Sequence, residues 1–182
     1  MSTVATLVEQ LWREGVGPDD RLALASVMAR RDEPAIAGDP ALPHLRVFAA
    51  WFDLLGESRS ELPPAPADMA GMLVHAAAAA VHARLDGDRQ MIDDRTDALA
   101  LALRGLATDD PHAVAVRAWA ELAFGDVALA LGDVRAAKRH FEAATAREAP
   151  VAVRLAAMLK LVGAAMSSID VAPARTWARK AT

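Results

Sequence analysis

Residues 111–144 decide the fold prediction for this chain, and they read PHAVAVRAWAELAFGDVALALGDVRAAKRHFEAA. Apolar residues recur at helical spacing on both sides of Leu131-Gly132-Asp133, which predicts two amphipathic helices joined by a tight turn. Small residues occupy the positions at which these two helices would have to touch. The stretch therefore predicts a helical hairpin, and fainter versions of the same pattern flank it on both sides.

The composition of the whole chain predicts an all-α protein. Ala, Leu, Arg and Glu favour helix, and β-branched residues are mostly isolated. A net charge of −4 provides no basic surface for nucleic acid, and the absence of cysteine excludes disulfides and thiolate metal sites. The abundance of Ala and the excess of Arg over Lys suggest a bacterial genome rich in G and C.

The apolar window 113–131 is long enough to suggest a membrane span. It contains Arg117, Glu121 and Asp126, however, and each of these charges is costly in hydrocarbon. The N-terminus lacks a cationic segment followed by an unbroken apolar core, so no signal peptide is predicted. We therefore expect a soluble, cytoplasmic protein that has neither membrane nor nucleic acid as a partner.

Residues 1–60 are expected to form an N-terminal helical extension. Helices are predicted from Thr3 to Glu14, from Pro18 to Arg31 and from Leu42 to Leu55, and residues 32–43 are predicted to be a loop. The proline-rich stretch 57–66 is the best candidate for a linker.

The remaining residues, 66–182, are expected to form three helix pairs, at 66–107, 110–147 and 150–182. The pairs open at Pro66, Pro111 and Pro150, and their turns fall at Gly87, Gly132 and Asp170, after 21, 21 and 20 residues. In the third pair, Asp170 is predicted to cap a last helix that extends through Ala178. Such a common spacing indicates internal repetition. The extension and the repeats form either two domains or one continuous domain. The end of the sequence, which lacks a clear stop signal, suggests either a domain cut from a longer protein or an end that associates with a second copy.

The middle pair resembles a tetratricopeptide repeat. The residues that carry the resemblance are Gly125, Gly132, Ala137, Phe141 and Ala144, at the family spacings of seven, five, four and three, with Pro150 near the closing proline. Ala128 replaces the usual tyrosine, and the units repeat at 39 to 45 residues instead of about 34. In the last unit Ala174, Ala178 and Ala181 occupy the small positions, and the large residue is Trp177. The resemblance implies an α-solenoid of stacked antiparallel hairpins, with about 8–9 helices.

In this family the first helix of each repeat lines a concave groove. The resemblance therefore implies a partner-binding groove in this chain, formed by Trp119, Leu122, Asp126 and Leu129. Arg117 and Arg154 lie in corresponding first helices of neighbouring units, so they are candidates to line one groove. An alternative is that Trp119 and Leu122 pack against the preceding hairpin, as buried aromatic residues usually do. Similarly, Arg117 and Arg154 could meet an acidic partner or simply neutralise nearby carboxylates.

The predicted function is non-catalytic: a scaffold or regulatory module that binds a protein or peptide, or a second copy of itself, through an apolar groove. One alternative is a ligand-sensing domain with an apolar pocket near Trp51 and Trp119. Another is a Mg²⁺-dependent diphosphate enzyme, because Asp93, Asp94 and Asp97 spell a DDxxD motif on one helix. The leading prediction includes no enzyme activity, no cofactor and no metal. His75 and His82 lie two helical turns apart, too far to bind one metal ion without further ligands.

Overall fold

The structure is a computed structural model that describes residues 2–16, 20–58 and 61–167, with side chains through residue 164. All regular structure in these residues is helical, and it comprises nine helices. The all-α class and the expected number of helices are thus confirmed. Pro18 and the predicted helix from Asp170 to Ala178 lie outside the described residues. The helices are α1 (Thr3–Glu14), α2 (Asp20–Ala29), α3 (Pro34–Ala37), α4 (Leu42–Leu55), α5 (Met69–Asp86), α6 (Arg89–Leu103), α7 (Ala113–Ala130), α8 (Val134–Ala144) and α9 (Val151–Ser167).

Short polar side chains fix where several helices begin. Asp68 accepts a hydrogen bond from the backbone N–H of Gly71, so α5 begins at Met69 instead of at Pro66. Asp88 and Asp133 cap α6 and α8 in the same way. A further difference from the sequence prediction is α3, a single turn that begins at Pro34 inside the predicted loop.

Helices α5 to α9 pack on one another along the chain. Helix α5 packs on α6, α7 packs on both α5 and α8, and α9 packs on α7 and α8. Both described turns contain a glycine with positive φ, Gly87 at 75° and Gly132 at 83°, a conformation that suits glycine best. The central helix α7 is therefore enclosed by its neighbours along most of its length.

Two of the N-terminal helices, α1 and α4, pack against helices that follow the proline-rich segment. Helix α4 packs on α5, and α1 packs on both α4 and α9. The α1–α9 contact is close, because a Cβ atom on Gly15 would lie 3.1 Å from the Cβ of Ala152. One cluster of buried apolar residues includes members of α1, α4, α5, α7, α8 and α9. The core is thus shared between residues 1–60 and the helix pairs that follow them.

Candidate interaction surface

The two apolar residues at the centre of the expected groove lie inside the protein. Trp119 and Leu122 are fully buried. The ring centroid of Trp119 is 4.5 Å from that of Trp51 and 6.4 Å from that of Phe48, both on α4. The face predicted to be an open groove is therefore closed in this structure, because aromatic side chains of α4 fill it.

The other four predicted groove residues are spread over different environments. Asp126 is buried, Leu129 and Arg154 are half-buried, and Arg117 is exposed. The structure does not bring these six residues together as one accessible surface. The sequence analysis gave burial of Trp119 and Leu122 as an alternative, but it did not identify α4 as the element that covers them, because nothing local to residues 111–150 shows that α4 packs there.

Asp126 belongs to a network of charges that joins four segments of the chain. Its Oδ1 lies 3.0 Å from Nζ of Lys160 on α9, and Lys160 lies 2.9 Å from Oε1 of Glu57. Arg84 on α5 donates a hydrogen bond of 2.8 Å to Oε2 of Glu57. The network therefore connects α5, α7 and α9 with Glu57, which lies two residues after the end of α4.

Burial raises the pKa of both carboxylates in this network, whereas pairing with the nearby cations lowers it. For Asp126, burial raises the pKa, and the nearby charges of Lys160 and Arg84 offset only part of this increase. For Glu57, burial would raise the pKa as well, but hydrogen bonds from Lys160 and Arg84 outweigh it and lower the pKa. Because Asp126 is only 4% exposed, we interpret the network as structural.

The aspartates of the DDxxD motif are exposed on α6 and make local contacts. Arg89 lies 3.4 Å from Asp93, and Gln90 donates a hydrogen bond of 2.9 Å to Asp94. Within the described part of the chain, no three His, Cys, Asp or Glu side chains are grouped closely enough to hold a metal ion. The structure thus supplies no partner ligands for this motif among the residues that it describes.

The two histidines of α5 have separate contacts. Nε2 of His75 lies 2.8 Å from the carbonyl oxygen of Pro63, and Nδ1 of His82 lies 3.1 Å from Asp86. His75 therefore fastens the proline-rich segment to α5, whereas His82 forms a pair within its own helix.

A cleft of about 360 Å³ lies between the end of α2, the outer side of α4 and residues 61–64. Its walls carry Arg31, Arg46, Asp53 and Glu61, a balanced set of charges that favours no particular ligand charge. The alternative pocket near Trp51 and Trp119 has no comparable space, because the two rings pack directly against each other. The other residues that line the cleft are apolar, namely Met28, Ala49, Ala50, Leu62, Pro63 and Pro64.

The outer face of α9 carries a row of five exposed large apolar side chains, more than any other described helix. The exposed fractions of these side chains lie between 47 and 74%. Val153, Ala157 and Ala164, on the opposite side of α9, are fully buried. The sequence did carry this signal, since a helix that is apolar on all sides is expected to be enclosed by protein. The row, called the outer face below, consists of Val151, Leu155, Met158, Leu159 and Val162.

Comparisons of this chain with models of protein families, with curated proteins and with solved structures found no match. Among the described helices, none has both the length and the apolar character needed to cross a membrane. The resemblance to tetratricopeptide repeats stays a prediction.

Proposed function

We propose that this chain is a non-catalytic protein-binding module, built as a tetratricopeptide-like α-solenoid, and that it binds a helix of a protein partner on the outer face of α9. The observation that supports this proposal is the exposed apolar row opposite the buried side of the same helix. Apolar residues on both sides are typical of a helix that lies between two others in a stack. The outer face is therefore suited to one more helix.

The spacing of the outer face fits recognition of a helix. Val151, Leu155, Leu159 and Val162 follow one another at four, four and three residues, so they form one stripe along the helix axis. Amphipathic helices bind apolar surfaces through anchors at such spacings. Complete burial of one leucine side chain contributes roughly 1.5–3 kcal/mol. Two or three such contacts would therefore contribute a substantial part of the favourable free energy of binding.

The site differs from the groove implied by the family resemblance. Trp119 and Leu122, predicted to contact the partner, serve the core in this structure. The proposed function is therefore still protein binding, but the proposed binding surface lies on α9 instead of α7.

A photo-crosslinking amino acid in place of Leu159 tests the proposal in cells that produce the full chain. The matched control places it at Leu101, another exposed leucine, which lies on α6. We expect a protein adduct at position 159 and none at position 101. The captured protein is then purified, and its affinity is measured for the wild type and for Leu155→Asp/Leu159→Asp.

Loss of two apolar contacts is expected to weaken binding by at least about tenfold, since 1.4 kcal/mol corresponds to a factor of ten. Leu101→Asp is expected to leave the affinity unchanged. Equal affinities of the wild type and the double variant would show that the partner binds elsewhere and would remove the proposal.

A further inference from the structure

Two methionines are exposed at the start of α5, although methionine is usually a buried side chain. Met69 is 43% exposed and Met72 is 40% exposed. No other two methionines of the chain lie within four residues of each other. Residues three apart on a helix have Cβ atoms about 5–6 Å from each other, and the methionine side chain is long, unbranched and flexible. The two thioether sulfurs can therefore reach one common point above this turn of α5.

His75 lies three residues after Met72, so it takes the next step along the same helix. It is half-buried, between the exposed methionines and the buried side of α5. Long side chains on a helix lean toward its N-terminus, which brings the ring of His75 toward Met72 and the side chain of Met72 toward Met69. Two sulfur atoms and one imidazole can thus meet at a single ion.

The hydrogen bond of His75 leaves one ring nitrogen free for such an ion. Nε2 lies 2.8 Å from the carbonyl oxygen of Pro63. Because a carbonyl oxygen only accepts, Nε2 carries the proton, and in the neutral imidazole the lone pair lies on Nδ1. Nδ1 has no hydrogen-bond partner among the described residues and is not one of their buried unpaired atoms, so solvent reaches it. Histidines that bind metals usually donate their second N–H in this way.

The types of ligand select the metal. Thioether sulfur is a soft ligand that favours Cu(I), and imidazole also suits copper. Mg²⁺ and Ca²⁺ require oxygen ligands instead. The chain has no cysteine, so no thiolate competes for a soft ion. The described residues contain no group of three His, Cys, Asp or Glu side chains that could hold a metal ion, and a site with two methionines does not depend on such a group.

We propose that Met69, Met72 and His75 form a Cu(I) site at the start of α5, with the two sulfurs and Nδ1 as ligands. The carbonyl of Pro63 fixes the tautomer of His75 and the orientation of its ring. None of the three ligands belongs to the outer face of α9, so the site is independent of the proposed function.

Silver(I) is the probe for the first experiment, because it is a soft monovalent ion like Cu(I) and needs no reductant. It is added to the full chain with ¹³C-labelled methionine methyl groups, in a buffer without chloride. At one equivalent we expect the methyl resonances of Met69 and Met72 to shift, and those of Met91 and Met158 to stay in place. Met91 and Met158 are equally exposed methionines on α6 and α9, so they are matched controls. Similar shifts at all four methyl groups, or none at Met69 and Met72, would overturn the proposal.

Nitrogen NMR of the same samples tests the histidine. Without metal, we expect the ring of His75 to be the tautomer protonated at Nε2. On addition of silver(I), the resonance of its Nδ1 should shift, whereas both nitrogens of His82 on the same helix should be unaffected. A His75 ring protonated at Nδ1, or an Nδ1 resonance that ignores the metal, would show that the imidazole is no ligand and would overturn the site.

Affinity for Cu(I) itself is measured by competition with a coloured Cu(I) chelator under anaerobic, reducing conditions. Met72→Leu retains the size of the side chain and removes the sulfur, so it should weaken binding at least about tenfold. Met91→Leu removes an exposed sulfur elsewhere and should leave the affinity unchanged. Equal affinities of the wild type and Met72→Leu would refute the proposal.

His75→Gln separates the metal ligand from the structural contact. Glutamine retains an N–H donor for the carbonyl of Pro63 but has no counterpart of Nδ1. We expect at least about tenfold weaker Cu(I) binding with unchanged helix content by circular dichroism. His82→Gln is the matched control and should bind Cu(I) as the wild type does. An unchanged affinity in folded His75→Gln would contradict the three-ligand site.

Discussion

Nζ of Lys160 lies 3.0 Å from Oδ1 of Asp126, so the two form an ion pair that joins α9 to the buried side of α7. Lys160 also donates a hydrogen bond to Glu57, which is 103 residues away in sequence. One ammonium group thereby neutralises carboxylates from two distant parts of the chain. Loss of this group leaves a buried carboxylate without its nearest cation, and buried charges are costly without partners.

Lys160→Met is therefore expected to lower the free energy of unfolding by about 3 kcal/mol. Methionine retains most of the aliphatic volume of lysine, so the change in the free energy of unfolding is due to the loss of the charge. Urea unfolding at neutral pH measures it, and Arg89→Met is the matched control. Arg89 pairs with Asp93 on the exposed side of α6, where loss of the pair should cost less than about 1 kcal/mol. A Lys160 effect as small as that of Arg89 would contradict the structural role of the network.

The raised pKa of Asp126 predicts how stability depends on pH. The folded state binds this proton more tightly than the unfolded state, so the wild type loses stability as pH rises from about 3.8 through the folded pKa. Asp126→Asn lacks this titration. The stability of the variant relative to the wild type should therefore increase with pH over this window and level off above it.

Urea unfolding from about pH 3 to about pH 7 measures this difference. Glu57 contributes in the opposite sense, because its lowered pKa makes the protein lose stability as pH falls through 4.5 toward the folded pKa. The wild type and Asp126→Asn both contain Glu57, so its contribution to the pH dependence largely cancels when their stabilities are compared. A difference that is independent of pH would mean that Asp126 titrates normally.

Gly125→Ala is expected to destabilise the protein by roughly 1–3 kcal/mol, because the added methyl group would overlap the ring of Phe141. Gly105→Ala is the control, since a Cβ at Gly105 would lie 3.5 Å from its nearest neighbour, an ordinary contact. Thermal unfolding distinguishes the two. Phe141→Leu should be less harmful in the Gly125→Ala background than in the wild type, and strict additivity would argue against the contact.

Trp51 and Trp119, the two tryptophans with fully buried side chains among the described residues, make a matched pair for a fourth prediction. Nε1 of Trp51 donates a hydrogen bond of 3.1 Å to the carbonyl of Val74, whereas Nε1 of Trp119 is buried without a hydrogen-bond partner among the described residues. Trp51→Phe should therefore cost about 1 kcal/mol more than Trp119→Phe, as the two substitutions remove similar volumes. Chemical unfolding of both variants gives the difference, and the reverse order would show that the Trp119 N–H is satisfied.

Local signals predicted the two described turns that follow α5 and α7. Gly87 and Gly132 act within a few residues, so a pattern in one short window is enough to find them. The start of α5 was predicted at Pro66 instead of Met69, because the cap formed by Asp68 was not recognised in the sequence. The burial of Gly125 against Phe141 follows from the same local spacing.

The environment of the predicted groove residues could not be read from the sequence, because it depends on contacts between residues that are far apart in the chain. The spacing along α7 places Trp119 in the predicted groove. In the structure, however, Trp119 packs against Trp51, which is far away in sequence. No periodicity within α7 can reveal which element covers it. The outer face of α9 was predictable in principle, because its two apolar sides are visible in the sequence.

The contact of α1 with α9 has a consequence for how the molecule unfolds. In a chain of units that touch only their neighbours, each end can melt alone, and stability is roughly a sum over units. Here Gly15 meets Ala152, so the first and last described helices support each other. Melting either one removes packing from the other, which favours one cooperative transition over gradual fraying. The contact of α1 with α9 also joins residues that are far apart in the sequence, and such a topology is associated with slower folding.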